Sequence, residues 1–370
     1  MAAPRIDAVY RLRVEPARAA ERARLLAIEQ SIEMPPEAVG DARVLAEVLA
    51  RVEAVEPQAD GTSLARVQYA AETVGDDAGQ LMNVLFGNCS LQPEVELVDV
   101  EVPAALAQAL GGPNHGIDGL RRLTGALGRP LTCTALKPVG STTAQMAALC
   151  RTFARAGIDV IKDDHGWANQ ASSPFAARVA ACQRAVLDAN AASGRRTLYA
   201  PSLYGSHVQM QRQIELARRL GVAAFLIAPM VGGVATLNAL KREHSEVAFI
   251  AHPALAGATR IAPPALLGKL FRLFGADAVI FPNHGGRFSY DIATCQAIAR
   301  CNRAPWHALR PALPVPAGGM ALERVEEIKR EYGPNSMLLI GGSLLIARQQ
   351  LAERSRAFVE AVAAPQRQAA

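Results

Sequence analysis

The stretch "AGIDVIKDDHGWANQ" (residues 156–170) decides how the chain is read. Ile158 to Ile161 has the β-branched content of a buried strand. The run then breaks into Lys162, Asp163, Asp164 and His165. Four ionisable groups at the tip of an apolar strand must repel, titrate or be paired. Amphipathic segments flank the stretch, "TAQMAALCRTFARA" before it and "FAARVAACQRAVLDAN" after it. A short apolar strand between two helices, ending in polar chemistry, is one unit of a helix-covered parallel sheet.

Outward from that unit the pattern repeats. The strand candidates are "LTCTAL", "DVIK", "TLYAP", "AAFLIA", "VAFIAH", "AVIFP", "LPVPA" and "MLLIGG", each followed by a helical segment, the last being "LLIARQQLAERSRAFVEAV". Eight such units close into a (β/α)8 TIM barrel over residues 116–370. Residues 1–112 read as a smaller α+β, ferredoxin-like domain. Strands are expected near "DAVYRLRV", "SLARVQYA" and "VELVDVEV", and helices at "PARAAERARLLAIEQS", "DARVLAEVLARV" and "GDDAGQLMNVLF". "GGPNHGI" (111–117) marks the junction, since Gly and Pro interrupt the structure on both sides.

Composition narrows the function. The 370 residues carry a net charge of +5, and basic residues such as Arg18, Arg22 and Arg24 alternate with acids. That is a solvated helix face, without the interleaved aromatics of a nucleic-acid surface. "GVAAFLIAPMVGGVATLNAL" (221–240) is uncharged, but Pro229 and Gly232-Gly233 make it a strand, a turn and a helix start, so no membrane association is expected. The N-terminus lacks the apolar core of a signal peptide. Cys89, Cys133, Cys150, Cys182, Cys295 and Cys301 have no Cys-x-x-Cys spacing, which fits reduced thiols in a cytoplasm.

In a barrel the chemistry sits at the C-terminal ends of the strands. Here those ends include "TALKPVG" (134–140), "KDDHG" (162–166), "AHPALAG" (251–257), "PNHGGRF" (282–288), "PAGGM" (316–320) and "IGGS" (340–343). Lys162 as a carbamate, Asp164 and His165 could together hold one divalent metal, the lysine only in that anionic form. Asp163 is expected to face the other way, because neighbours on a strand alternate. The glycine pairs Gly318-Gly319 and Gly341-Gly342 leave backbone N–H groups open to a phosphate. Of the chain's five lysines, Lys137 and Lys162 lie at consecutive strand tips in a sequence rich in arginine. A group that must lose a proton has to be lysine, since arginine does not deprotonate.

These motifs, "TALKP", "GIDVIKDD", the histidine of the fifth strand, "GGRF", "PAGGM" and "IGGS", resemble in order and spacing those of the RuBisCO superfamily, from about Glu29 to the last helix. The resemblance implies that Lys162 is a carbamylated lysine holding Mg2+ with Asp164, and that His165 replaces the usual glutamate ligand. It implies that Lys137 touches the reacting carbonyl and that His252 is the catalytic histidine of the fifth strand. Glu29 and Asn88 would complete the site of a neighbouring subunit in a homodimer. The departures imply loss of CO2 fixation: Val139 stands for a lysine, Arg287 for the flexible-loop lysine, Pro253 and Ala256 for an arginine and a histidine, and Ala317 for a serine. What remains is metal-assisted enolisation of a phosphorylated keto-sugar, the reaction of the RuBisCO-like branch.

The reaction expected by resemblance is isomerisation of 5-methylthioribulose 1-phosphate to 1-methylthioxylulose 5-phosphate. Decarboxylation of a β-keto sugar acid phosphate, such as 3-oxo-isoapionate 4-phosphate, would use the same kind of enolate. The diketo-methylthiopentyl phosphate enolases carry a lysine in place of Asn88, which weighs against them. A non-catalytic metabolite sensor would have little use for a carbamylated lysine. Plainer readings also exist. Lys162–His165 could be a salt-bridge network at a rim, and His252 a hydrogen-bonded core histidine. Cys133 belongs to the core, His284 could meet substrate or face solvent, and Trp167 could stack on a substrate tail or pack under a loop.

Overall fold

The computed structural model describes residues 3–288 and 290–365. The N-terminal sheet has strands β1 (Arg5–Leu12), β2 (Arg51–Pro57), β3 (Ser63–Ala70) and β4 (Val95–Glu101) in the antiparallel order β2-β3-β1-β4. Helices Pro16–Glu29 and Ala78–Phe86 follow β1 and β3. This is the β-α-β-β-α-β arrangement of ferredoxin-like domains.

One sequence expectation fails here. "DARVLAEVLARV" is not a helix throughout: a single wide turn, Val44–Val48, is followed by β2 from Arg51. Val44, Leu45, Val48, Leu49 and Val52 suit a helix face, but from Arg51 the chain alternates. Pairing of Val52 with Val67 and Val55 with Ala65 decides the outcome. Tertiary pairing overrides a helical pattern this short. The final helix is likewise broken, into Gly342–Leu345 and Leu351–Ala363, with Arg348 at a φ of 46° between them.

Eight strands then alternate with helices: β5 (Leu131–Leu136), β6 (Val160–Asp163), β7 (Leu198–Ala200), β8 (Ala224–Ile227), β9 (Ala248–Ala251), β10 (Ala278–Pro282), β11 (Leu313–Ala317) and β12 (Met337–Leu339). They form two parallel four-stranded sheets, β12-β5-β6-β7 and β8-β9-β10-β11. A parallel bridge between Ser202 and Leu226 joins them on one side, and β11 packs beside β12 on the other. Two apolar layers result. Leu131, Cys133, Val160, Leu226, Ile250 and Val315 fill the barrel interior. Leu136, Ile161, Tyr199, Phe225, Phe249 and Phe281 point outward under the helices, in a layer continuous with the core of the N-terminal domain.

The two domains are fastened at several points. Edge strand β4 is covered by the barrel chain: Leu97 donates to the Arg260 carbonyl at 2.9 Å and accepts from Ala262 at 2.8 Å. Lys269 reaches Asp99 at 2.7 Å, and the Trp306 indole donates to Glu101 at 2.7 Å. At the junction the buried carboxylate of Asp277 accepts the backbone N–H groups of His115 (2.6 Å), Gly116 (2.7 Å) and Phe249 (2.8 Å). One side chain thus closes "GGPNHGI" onto the floor of the barrel. Asp277→Ala should leave three N–H groups without an acceptor and lower stability by about 3 kcal/mol or more. Urea unfolding checks this, with the midpoint falling at unchanged slope.

Candidate active site

The period-two alternation of the strands builds the site. Lys162 continues the inward parity of Val160, and Asp164 follows one step further along the chain. His252 and Lys137 likewise extend Ile250 and Cys133 past the top apolar layer. Lys162 pairs in register with Ala135 on β5 and Ala200 on β7, two small residues that leave room for its chain. It is only 2% exposed. Asp163 has the opposite parity and points outward. It accepts from Arg178 Nε (3.1 Å), the Tyr199 hydroxyl (2.8 Å) and the Ser202 amide (3.1 Å). Burial raises the Asp163 pKa, and the Arg178 charge opposes the rise.

Inside the mouth five groups meet. Lys137 donates to one oxygen of Asp164, whose other oxygen lies 3.6 Å from Lys162 Nζ and 3.4 Å from His165 Nδ1. The His165 ring stacks on His252 at 4.1 Å and 15°. Burial lowers the Lys162 pKa against the pull of Asp164, so more of its amine is neutral and open to CO2. Burial alone would raise the Asp164 pKa, but His165, Lys162 and Lys137 hold it well below the usual carboxylate range. His252 is pushed down to about 2 by burial and then by the charges of Lys162 and His165. Its Nδ1 accepts the Ala254 amide at 3.1 Å, which assigns the proton of the neutral ring to Nε2. The Nε2 N–H of the neutral His252 ring is left to donate.

The cluster suits a divalent ion once Lys162 carries a carbamate. One imidazole and a buried amine lie within 3.6 Å of the same oxygen of the Asp164 carboxylate. Converting that amine to an anion turns a cation-rich cluster into an oxygen-rich one. Gly341 stands beside Lys137, whose Cε would lie 3.6 Å from a Cβ added there, and Gly342 faces open space. Gly318 and Gly319, at φ of 84° and 93°, form the turn after β11. Arg287 is exposed on the loop after β10, with its guanidinium 5.6 Å from the Phe288 ring. Glu29 and Asn88 lie together in the N-terminal domain, joined by a 2.8 Å hydrogen bond from Asn88 to Glu29.

Cys133, Trp167 and His284 each have a definite place. Cys133 is buried inside the barrel, and burial pushes its thiol up to about 12. Trp167 is buried, its indole donates to the Leu136 carbonyl at 3.1 Å, and Arg178 lies 5.1 Å over its ring, so it packs under the loop. His284 is largely buried and turns its Nε2 onto Glu331 at 2.8 Å, away from open solvent. The six cysteines are unpaired and five are buried. Among the described residues no helix is long and apolar enough to cross a membrane. The sequence reading passed over Arg178 and Glu331. Arg178 had one signal, a lone arginine in the apolar segment "FAARVAAC"; Glu331 had none in a charged helix.

Comparison with known proteins agrees with this fold. Residues 116–348 match the family described as ribulose bisphosphate carboxylase large chain, catalytic domain. The chain is 49% identical over 360 residues to a 5-methylthioribulose-1-phosphate isomerase of Rhodospirillum rubrum, covering 97% of this chain and 96% of that one. A 2,3-diketo-5-methylthiopentyl-1-phosphate enolase of Geobacillus kaustophilus is more distant, 32% identical over 76% of this chain and 70% of its own length. The crystal structure of a Rubisco-like protein from Rhodopseudomonas palustris superposes with a TM-score of 0.92 at 47% identity, over 99% of both chains. With the barrel, the strand-tip residues and these likenesses in agreement, the chain belongs to the ribulose bisphosphate carboxylase large-chain family, as a RuBisCO-like protein.

Proposed function

We propose that this protein isomerises 5-methylthioribulose 1-phosphate to 1-methylthioxylulose 5-phosphate. The observation that carries the reading is the convergence of Lys137, Lys162, Asp164 and His252 in the barrel mouth, in a chain near-identical in length to a named isomerase at 49% identity. The reaction moves a carbonyl from C2 to C4 of the sugar chain. A proton leaves C3 and one is delivered to C2; a second leaves C4 and one is delivered to C3. Atoms and electrons balance without an external oxidant.

Each residue has a part in that sequence. Lys162 as a carbamate, Asp164 and His165 would hold Mg2+, which supplies positive charge for the enediolate oxygens. Lys137, beside Asp164, donates from its ammonium to the reacting carbonyl, and as the neutral amine it takes the proton that leaves the neighbouring carbon and returns it to the next. His252, held neutral with its proton on Nε2, donates to a substrate oxygen and stabilises charge as it develops there. The open amides of Gly318-Gly319 or Gly341-Gly342 take the phosphate. Glu29 and Asn88, linked and accessible, complete the site of a second copy in a homodimer. The departures at Val139, Arg287 and Ala317 argue against carboxylation, since a planar guanidinium is a poor substitute for a compact ammonium beside a new carboxylate.

Lys162→Ala and Asp164→Ala should each lower turnover of 5-methylthioribulose 1-phosphate by about 10³-fold or more. Phosphorus NMR with Mg2+ and bicarbonate reads the product, and circular dichroism checks that the fold is kept. Near-normal activity in Lys162→Ala would remove the carbamate from the reaction.

Wild-type protein given ribulose bisphosphate and saturating labelled CO2 should form no 3-phosphoglycerate above background. His165→Glu should bind Mg2+ more tightly than wild type, because an imidazole contributes neither oxygen nor negative charge. Calorimetric titration with bicarbonate present tests this, and equal affinities would take His165 out of the metal site.

A further inference from the structure

We propose that His284 and Glu331 form a latch that fixes the Arg287 loop and the Gly318–Gly319 turn as one unit, and thereby sets the affinity of the barrel mouth for phosphate. The inference rests on the functional reading only in assigning phosphate to those glycines. It starts from two turns on neighbouring strands that touch backbone to backbone. A Cβ on Gly286 would lie 1.8 Å from the Gly318 carbonyl oxygen, and one on Gly319 would lie 2.7 Å from Gly286 Cα. The Arg287 amide donates to the Gly318 carbonyl at 3.3 Å. Neither turn can shift without displacing the other.

The helix after β11, Val325–Tyr332, holds the base of the Arg287 loop. His284 Nε2 lies 2.9 and 2.8 Å from the two oxygens of Glu331, and both side chains are largely buried, at 17% and 13% exposure. Arg324 donates to the His284 carbonyl at 2.9 Å, and the Tyr332 hydroxyl donates to the Asn283 side chain. Beyond these contacts Arg287 and Phe288 are exposed, so the loop's position is set from its base.

His284, Glu327 and Glu331 also stand close enough together to suggest a cation site. Glu327, however, gives both its oxygens to Arg324, at 2.7 and 3.0 Å, and lies 3.9 Å from the imidazole. The group is already closed by its own hydrogen bonds and those to Arg324. A charge-assisted bond from an imidazole N–H to a largely buried carboxylate is among the stronger single hydrogen bonds a side chain makes.

Two variants of the full chain test the latch without any measurement of turnover. His284→Phe keeps a ring but has no donor, whereas His284→Gln keeps an N–H within reach of Glu331. In His284→Phe, amide hydrogens over 285–288 should exchange about tenfold faster, and inorganic phosphate should bind about tenfold more weakly, the loss expected of one charge-assisted bond. His284→Gln should stay near wild type on both measures, and Mg2+ affinity with bicarbonate should be the same in all three proteins. Unchanged exchange, unchanged phosphate affinity, or a His284→Gln protein as impaired as His284→Phe would overturn the latch. A fall in Mg2+ affinity alongside would show a general loss of structure and overturn it too. None of these readouts depends on which sugar phosphate is turned over, so failure of the isomerase reading would be seen separately.

Discussion

The ion pair between Asp163 and Arg178, both fully buried, fixes which face of β6 looks into the barrel. In a strand a slip of one residue exchanges the two faces. Here it would carry Lys162 under the helices and turn Asp163 into the mouth. Tyr199 and Ser202 bind the same carboxylate from the next strand and the loop that follows it, so β6 and β7 share one register. Arg178 adds Trp167 to the network by lying over its ring, which anchors the turn after His165. Breaking a buried pair by removing one partner costs about 3–5 kcal/mol. That is ample to hold the parity on which every other site residue depends.

With parity fixed, the electrostatics of the mouth follow. One carboxylate, Asp164, faces two lysines and an imidazole, and the lysine at the centre is the most deeply buried of them. An ammonium in that position is disfavoured by desolvation. Two changes relieve the imbalance: losing the proton, or exchanging the charge for a carbamate that recruits a divalent cation. His252 bears the same pressure, and its Nδ1 accepts the Ala254 amide, which leaves the Nε2 N–H of the neutral ring free to donate. The arrangement is pre-formed, which is where electrostatic catalysis gets most of its strength.

Much of this was legible in the chain, for a definite reason. Buried parallel strands are nearly continuous apolar runs, so a Lys162 or His252 at their tips stands out, and alternation alone separates Lys162 from Asp163. β2 was not legible, because Val52 and Val55 acquire their meaning only from Val67 and Ala65 on the facing strand. The same holds for Glu331 and Arg324, whose partners are 47 and 40 residues away in sequence. Arg178 lies between these cases. An arginine in an apolar helix segment signals a buried partner but does not name it.

The residues that resemble the superfamily's chemistry and two of those that depart from it, Val139 and Arg287, occupy different kinds of structure, whereas Ala317 departs within strand β11 itself. Lys162 lies within a barrel strand, and Lys137, Asp164 and His252 immediately follow one, their directions set by packing on both sides. Val139 and Arg287 lie in the loops after β5 and β10 and are largely exposed. A strand-tip residue cannot change its aim without disturbing the barrel, whereas a loop residue can change identity at little cost to stability. In the proposed reaction, enolisation would draw on the first set, and the loops would bear on the fate of the enediolate. Fixing an exposed loop from its base, as proposed for His284 and Glu331, would keep that second set variable in chemistry while holding its backbone against the Gly318–Gly319 turn.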